Sequence, residues 1–189
     1  MNHTENRLRL QMNKPECEST KPMIVIPPGK FAYVQWYERN PKLLEAEVMA
    51  MQSSFPQFSL RKLSDGKMSW LGRLRPGLLG DNGWDWLVEA IYENNHPHAQ
   101  MGSSVLVYLR EPDINLLISS TGWRPHHLLY SSRGLYLCTA RSQDTHGSES
   151  EWTTSASTVL RWAVKWLAAY ELVLAGKLTK EEFDRPNVI

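Results

Sequence analysis

Trp84-Asp85-Trp86-Leu87-Val88-Glu89-Ala90-Ile91-Tyr92 is the stretch that decides the fold. Trp84, Trp86, Val88, Ala90 and Tyr92 alternate strictly with Asp85, Leu87, Glu89 and Ile91, the two-residue period of a strand that turns one face to a core. Related segments flank it. Upstream, Phe58, Leu60 and Lys62 share one face and Ser59, Arg61 and Leu63 the other. Ser64-Asp65-Gly66 then signals a tight turn, and Met68, Trp70 and Leu74 return along the next strand. Downstream, a turn over 94–100 leads to a fourth run, Ser104 to Leu109, which stops at Pro112. Four such runs in succession predict an antiparallel meander.

Helices bracket the meander. Asn40-Pro41 opens the first, because Asn caps a helix and Pro suits its first position. Leu44, Val48 and Met51 fall on one face, with Glu45 and Glu47 elsewhere, and Phe55-Pro56 ends it. Thr154 or Ser155 caps a longer helix reaching about Ala175, and Gly176 closes it. There Val159, Trp162, Ala163, Trp166, Ala169, Tyr170 and Val173 recur at three- and four-residue spacing. Burying its Trp and Leu side chains is worth about 1.5–3 kcal/mol each, which pins this helix to the sheet. Thr179-Lys180-Glu181-Glu182 predicts one helical turn at most. The fold class is therefore α+β. Residues 113–151 show no clear period and read as a long, functional loop.

Composition narrows the function. Among 189 residues, 21 basic and 20 acidic side chains leave a net charge of +1, so no global field draws in nucleic acid or anionic lipid. Met1 to Thr20 is polar and holds no apolar run of signal-peptide length. Val159 to Leu174 is interrupted by Arg161, Lys165 and Glu171 and does not read as a membrane span. The expected setting is cytoplasmic, without membrane or nucleic-acid contact. Two cysteines, Cys17 and Cys138, are too few for a disulfide framework and form no CxxC pair. No phosphate-cradling Gly-rich loop or dinucleotide fingerprint occurs, and no metal or organic cofactor is expected.

Cys138 is the leading chemical candidate. It ends Gly134-Leu135-Tyr136-Leu137-Cys138, an apolar strip running into a polar loop, with His126, His127 and Arg141 nearby in sequence. The thiolate is the reactive form, and a neighbouring cation or donor raises its fraction. The competing reading is a buried cysteine acting as a small hydrophobe. His96, His98, His126, His127 and His146 lie within about fifty residues but lack metal-ligand spacing, so surface or hydrogen-bonding roles are preferred. The Trp162, Trp166 and Tyr170 stripe reads as core.

Order and motif together resemble the ubiquitin-conjugating (UBC) fold: N-terminal helix, four-stranded antiparallel meander, cysteine-bearing loop, C-terminal helix. Ser69-Trp70-Leu71-Gly72-Arg73-Leu74 resembles its second-strand W-x-G pattern, and Tyr92 to Pro97 its Tyr-Pro turn. His127 through Gly134 to Leu137-Cys138 resembles the approach to its active-site cysteine, and Trp152 the tryptophan that follows. Val107 to Pro112, Pro125-His126 and the Trp162 to Glu171 helix are similar to bacterial ubiquitin-conjugating-like proteins of antiphage CBASS operons. The likeness covers roughly residues 40–178. It implies a tail over 1–30, a UBC-like domain over 31–178 and an extension over 179–189.

The resemblance also implies thioester transfer. Cys138 would accept the C-terminal glycine of a ubiquitin-like protein, or of a signalling cyclase (a cyclic-nucleotide synthase), from an activating-enzyme-like protein and pass it to an amine or thiol. The sequence departs from the eukaryotic pattern, with no His-Pro-Asn before Cys138. Tyr130 stands eight residues before the cysteine, where that Asn would be, and His127 eleven before. His127 is the favoured supporting donor, with Tyr130 and His126 next. A catalytically silent adaptor of the same fold and a Cys–His hydrolase are the alternatives. Oligomeric state, modifier and acceptor are left open.

Overall fold

The computed structural model describes residues 34–97, 103–138 and 155–185. Six strands form one sheet: β1 (Ser59–Lys62), β2 (Met68–Leu74), β3 (Trp86–Tyr92), β4 (Val105–Glu111), β5 (Leu128–Ser131) and β6 (Gly134–Leu137). Their spatial order is β1-β2-β3-β4-β6-β5, and every neighbouring pair is antiparallel. The described helices are α1 (Trp36–Arg39), α2 (Pro41–Ser54), α3 (Ile114–Thr121), α4 (Ala156–Leu174) and α5 (Lys180–Phe183). The protein is α+β, as the periodicities predict.

The core-facing positions of the deciding stretch hold over Trp86–Tyr92, while Ile91 on the other face is buried as well. Trp86, Val88, Ala90 and Tyr92 are fully buried and join the same core as Val105, Val107 and Leu109 of β4. On the opposite face of the sheet, Glu89 accepts from the Ser69 hydroxyl at 3.0 Å and from both Nε and Nη2 of Arg110 at 2.8 and 2.6 Å. Three strands thus share one charge-assisted network, whose geometry fixes their relative register. Gly72 has a packing reason: a Cβ there would lie 2.5 Å from Cγ of Phe58.

α4 is the principal helical cover. Ser155 caps it by accepting from the Thr158 amide, and Gly176, at φ +67, follows its end, both as the sequence predicts. Its inner face brings Val159, Leu160, Ala163, Trp166, Leu167 and Tyr170 to near-zero exposure. Carboxylates tie both ends. At the start, Oε2 of Glu47 accepts from the Ala156 amide at 2.9 Å and from the Tyr92 hydroxyl at 2.7 Å. Near the finish, Oε1 of Glu171 accepts from Trp86 Nε1 at 2.8 Å and the Trp84 amide at 3.0 Å.

Three expectations change. Glu47 does not lie away from the apolar face of α2; it is buried with Met51, because Tyr92 and the first turn of α4 present donors there that need an acceptor. Tyr92 in turn is pushed well above the ordinary tyrosine value, by burial first and then by the Glu47 carboxylate. The meander is extended from four strands to six, and Cys138 follows a hairpin strand rather than lying within an irregular loop. Residues 113–138 hold α3, capped by Asp113 through the Asn115 amide, and the β5–β6 hairpin. The two hairpin strands, Leu128–Ser131 and Gly134–Leu137, carry no apolar–polar alternation in sequence. The N-terminal tail, Cys17, His98 and the segment containing Arg141, His146 and Trp152 lie outside the described residues.

Candidate functional site

The hairpin that leads to Cys138 begins at Leu128, whose side chain is in the core, and turns at Ser132-Arg133. Gly134 takes φ +105 after that turn, a conformation glycine adopts without steric cost. The Ser131 hydroxyl oxygen accepts from the Arg133 amide at 3.0 Å and lies 3.0 Å from the Tyr108 hydroxyl, linking the turn to β4. The Arg133 guanidinium pairs with Asp65 in the β1–β2 turn. Val107 opposite Leu137 joins β6 to the rest of the sheet. A framework bonded on both sides therefore delivers Cys138 at the strand's end, partly exposed.

His127 lies directly across the hairpin. Its carbonyl accepts from the Cys138 amide at 2.7 Å, continuing the β5–β6 ladder by one rung. His127 itself has φ +62, and among the described residues it is alone among non-glycine residues in adopting positive φ. That conformation costs an L-residue about 1–2 kcal/mol and persists only where surroundings enforce it. Strained backbone of this kind clusters at functional sites, ligand clamps and switch regions.

The other expected residues are arranged differently. Tyr130 pairs with Leu135, three residues along β6 from Cys138, a separation of about 10 Å, and it is 78% exposed. His126 is held from below: its amide donates to Oδ1 of Asp184 at 3.2 Å, and its Nε2 lies 3.7 Å from Oδ2. The structure thus brings His127 to Cys138, sets Tyr130 apart, and engages His126 with Asp184.

Tyr136 is a neighbour that sequence reasoning missed. It shares a face of β6 with Cys138, two residues on, and its ring lies 6.0 Å from that of Tyr108. Burial, then the electrostatic influence of Cys138, push its phenol above the usual value. The phenol therefore stays protonated and able to donate. The i, i+2 spacing in Tyr136-Leu137-Cys138 is the pattern that reveals it. Among the described residues, no group of three His, Cys, Asp or Glu is arranged to hold a metal ion, and no helix is long and apolar enough to cross a membrane.

The chain is of the α+β class, one antiparallel six-stranded sheet with Cys138 partly exposed just after β6. Within that class, residues 47–178 match the model for the Type II CBASS E2 protein family, E2-CBASS. The match takes in 132 of 189 residues, and the chain belongs to that family. Its members are E2-like components of CBASS antiphage defence, which places this chain in partnership with other CBASS components. No curated protein and no solved structure matches it.

Proposed function

We propose that this chain is a ubiquitin-conjugating-like acyl carrier on a UBC-like fold, with Cys138 as the residue that bears the acyl group. The observation that carries this reading is the presentation of Cys138 at the end of β6, its amide fixed to His127, in a chain of the E2-CBASS family. The Cys138 thiolate attacks the thioester carbonyl on an activating-enzyme-like partner. A new S–C bond forms, and the partner's cysteine leaves as thiolate. An acceptor amine then attacks the Cys138 thioester, the S–C bond breaks, and the amine proton passes to solvent as the thiolate is regenerated.

Each tetrahedral intermediate needs a donor to its oxyanion. His127 is the proposed donor, supported by its register with Cys138; Tyr130 and His126 rank behind it because of their distance and their engagement. The acyl group is the C-terminal glycine of a ubiquitin-like protein or of a signalling cyclase, and the domain proposed to carry it spans 31–178. Incubation with an activating-enzyme-like protein, ATP and either a ubiquitin-like protein or a cyclic-nucleotide synthase ending in glycine should give an adduct that a reducing thiol cleaves. The adduct should vanish in Cys138→Ala. An adduct that survives this substitution overturns the reading.

A further inference from the structure

α5 looks peripheral in sequence, yet it is built rigidly and reaches the site. Thr179 accepts from the Glu182 amide at 3.1 Å, while Oε2 of Glu182 accepts from the Thr179 amide and hydroxyl at 2.9 Å each. This reciprocal capping box fixes a helix of only four residues. Phe183 plugs its inner side with no exposed surface, against Trp123 at 5.3 Å and Trp166 at 5.5 Å between ring centroids. Lys180 adds a third hold, donating to the Thr121 carbonyl at 3.4 Å with its ammonium 5.7 Å from the Trp123 ring.

Asp184 follows Phe183 directly, so its carboxylate has little freedom of position. It accepts the amide of His126, the residue immediately before the strained His127. Fixing the His126 amide fixes the peptide plane that precedes its Cα, and with it the path by which the chain enters His127. A strained left-handed residue persists only where its surroundings over-determine it, and here both flanks are anchored. On the far flank Leu128 is buried and its carbonyl accepts from Nη2 of Arg124 at 3.0 Å; on the near flank the anchor is Asp184.

Resting on the reading of Cys138 as the acyl carrier, we propose that Asp184 is a positioning residue for that cysteine, acting through the His126 amide and the His127 backbone. The route is short: Asp184 Oδ1 to His126 N–H, along one residue to the His127 carbonyl, and from there to the Cys138 amide. The part that matters is the accepting oxygen, which an asparagine also supplies.

The test uses the full chain with Asp184→Ala, Asp184→Asn and, as a control on the same helix, Glu181→Ala. Amide hydrogen exchange is read at Cys138, Trp166 and Tyr170. Alkylation of Cys138 by iodoacetamide is followed by mass spectrometry, which resolves it from Cys17. In Asp184→Ala the Cys138 amide should exchange about five- to tenfold faster, the loss of one hydrogen bond's worth of protection. Its alkylation rate should shift in parallel, while Asp184→Asn and Glu181→Ala stay near the parent. A Cys138 amide unchanged in Asp184→Ala overturns the assignment, as does Asp184→Asn behaving like Asp184→Ala. Equal acceleration at Trp166 and Tyr170 also overturns it, because that is general loosening. Neither readout requires a partner protein, so a parent chain that forms no thioester defeats the proposed function and leaves this result standing on its own.

Discussion

The amide of Cys138 and the carbonyl of His127 are joined by a 2.7 Å hydrogen bond across the end of a two-stranded hairpin, and the residue supplying the carbonyl has φ +62. Backbone and imidazole of His127 are therefore separable contributions. Glycine adopts the same φ without penalty, so His127→Gly preserves the fold and the ladder rung while deleting the ring. Thioester formation should fall at least tenfold in this variant with thermal stability retained. His127→Val should instead lose about 1–2 kcal/mol in urea unfolding, because a β-branched residue resists that backbone conformation. Full activity in His127→Gly would show that the ring is not the oxyanion donor.

Glu47 satisfies two buried donors with one carboxylate oxygen, the Tyr92 hydroxyl and the Ala156 amide. Glu47→Ala leaves both without that acceptor, at about 1–3 kcal/mol for each. The expected loss is about 3 kcal/mol, read from the urea midpoint at unchanged slope. Glu47→Gln keeps one acceptor oxygen and should lose less than half as much. A loss under about 1 kcal/mol in Glu47→Ala would mean that neither donor depends on this carboxylate.

Burial pushes the Tyr170 phenol up from 10.0 to about 12. Below pH ~10 both folded and unfolded chains keep the proton and the stabilisation is fully present. As pH rises further the unfolded chain ionises first, so stability falls by about 1.4 kcal/mol per pH unit, levelling once the folded phenol also ionises. Tyr170→Phe removes this contribution. It should cost little near neutrality, since the Tyr170 hydroxyl has no hydrogen-bond partner among the described residues. Urea midpoints of parent and variant should therefore diverge progressively above pH ~10. Parallel curves through this alkaline range would exclude Tyr170 as the titrating group.

Long elements were legible because their periods had room to repeat. Trp86, Val88, Ala90 and Tyr92 of β3 all face the core, and nineteen residues of α4 display a full apolar stripe between a serine cap and a left-handed glycine. α3 and the β5–β6 hairpin were hidden. Leu128–Ser131 and Gly134–Leu137 show no apolar–polar alternation, and Ser132-Arg133 lacks the Asn-Gly or Asp-Gly chemistry that announces a hairpin turn. Glu47 misled because a carboxylate in sequence looks solvated; its donors lie 45 and 109 residues away. Gly72 could be quoted as part of a motif, but only the Phe58 ring lying over it supplies a reason for glycine.

At the candidate site, the sequence named Cys138 from its setting and His127 from the resemblance. Their direct backbone bond was not legible, since it depends on the hairpin register. Tyr130 was chosen by counting residues back from the cysteine, but antiparallel pairing sets that count aside by folding it onto Leu135. Asp184 could not be reached by local reading at all, lying 58 residues from the amide it holds.

α4 covers the core face of strands that precede it, and this chain order has a consequence during synthesis. Leu174 at its end is translated 82 residues after Tyr92 at the end of β3. At about 5–20 residues per second, that interval is roughly ten seconds. Throughout it the nascent chain carries Trp86, Val88 and Tyr92 without the helix that shields them.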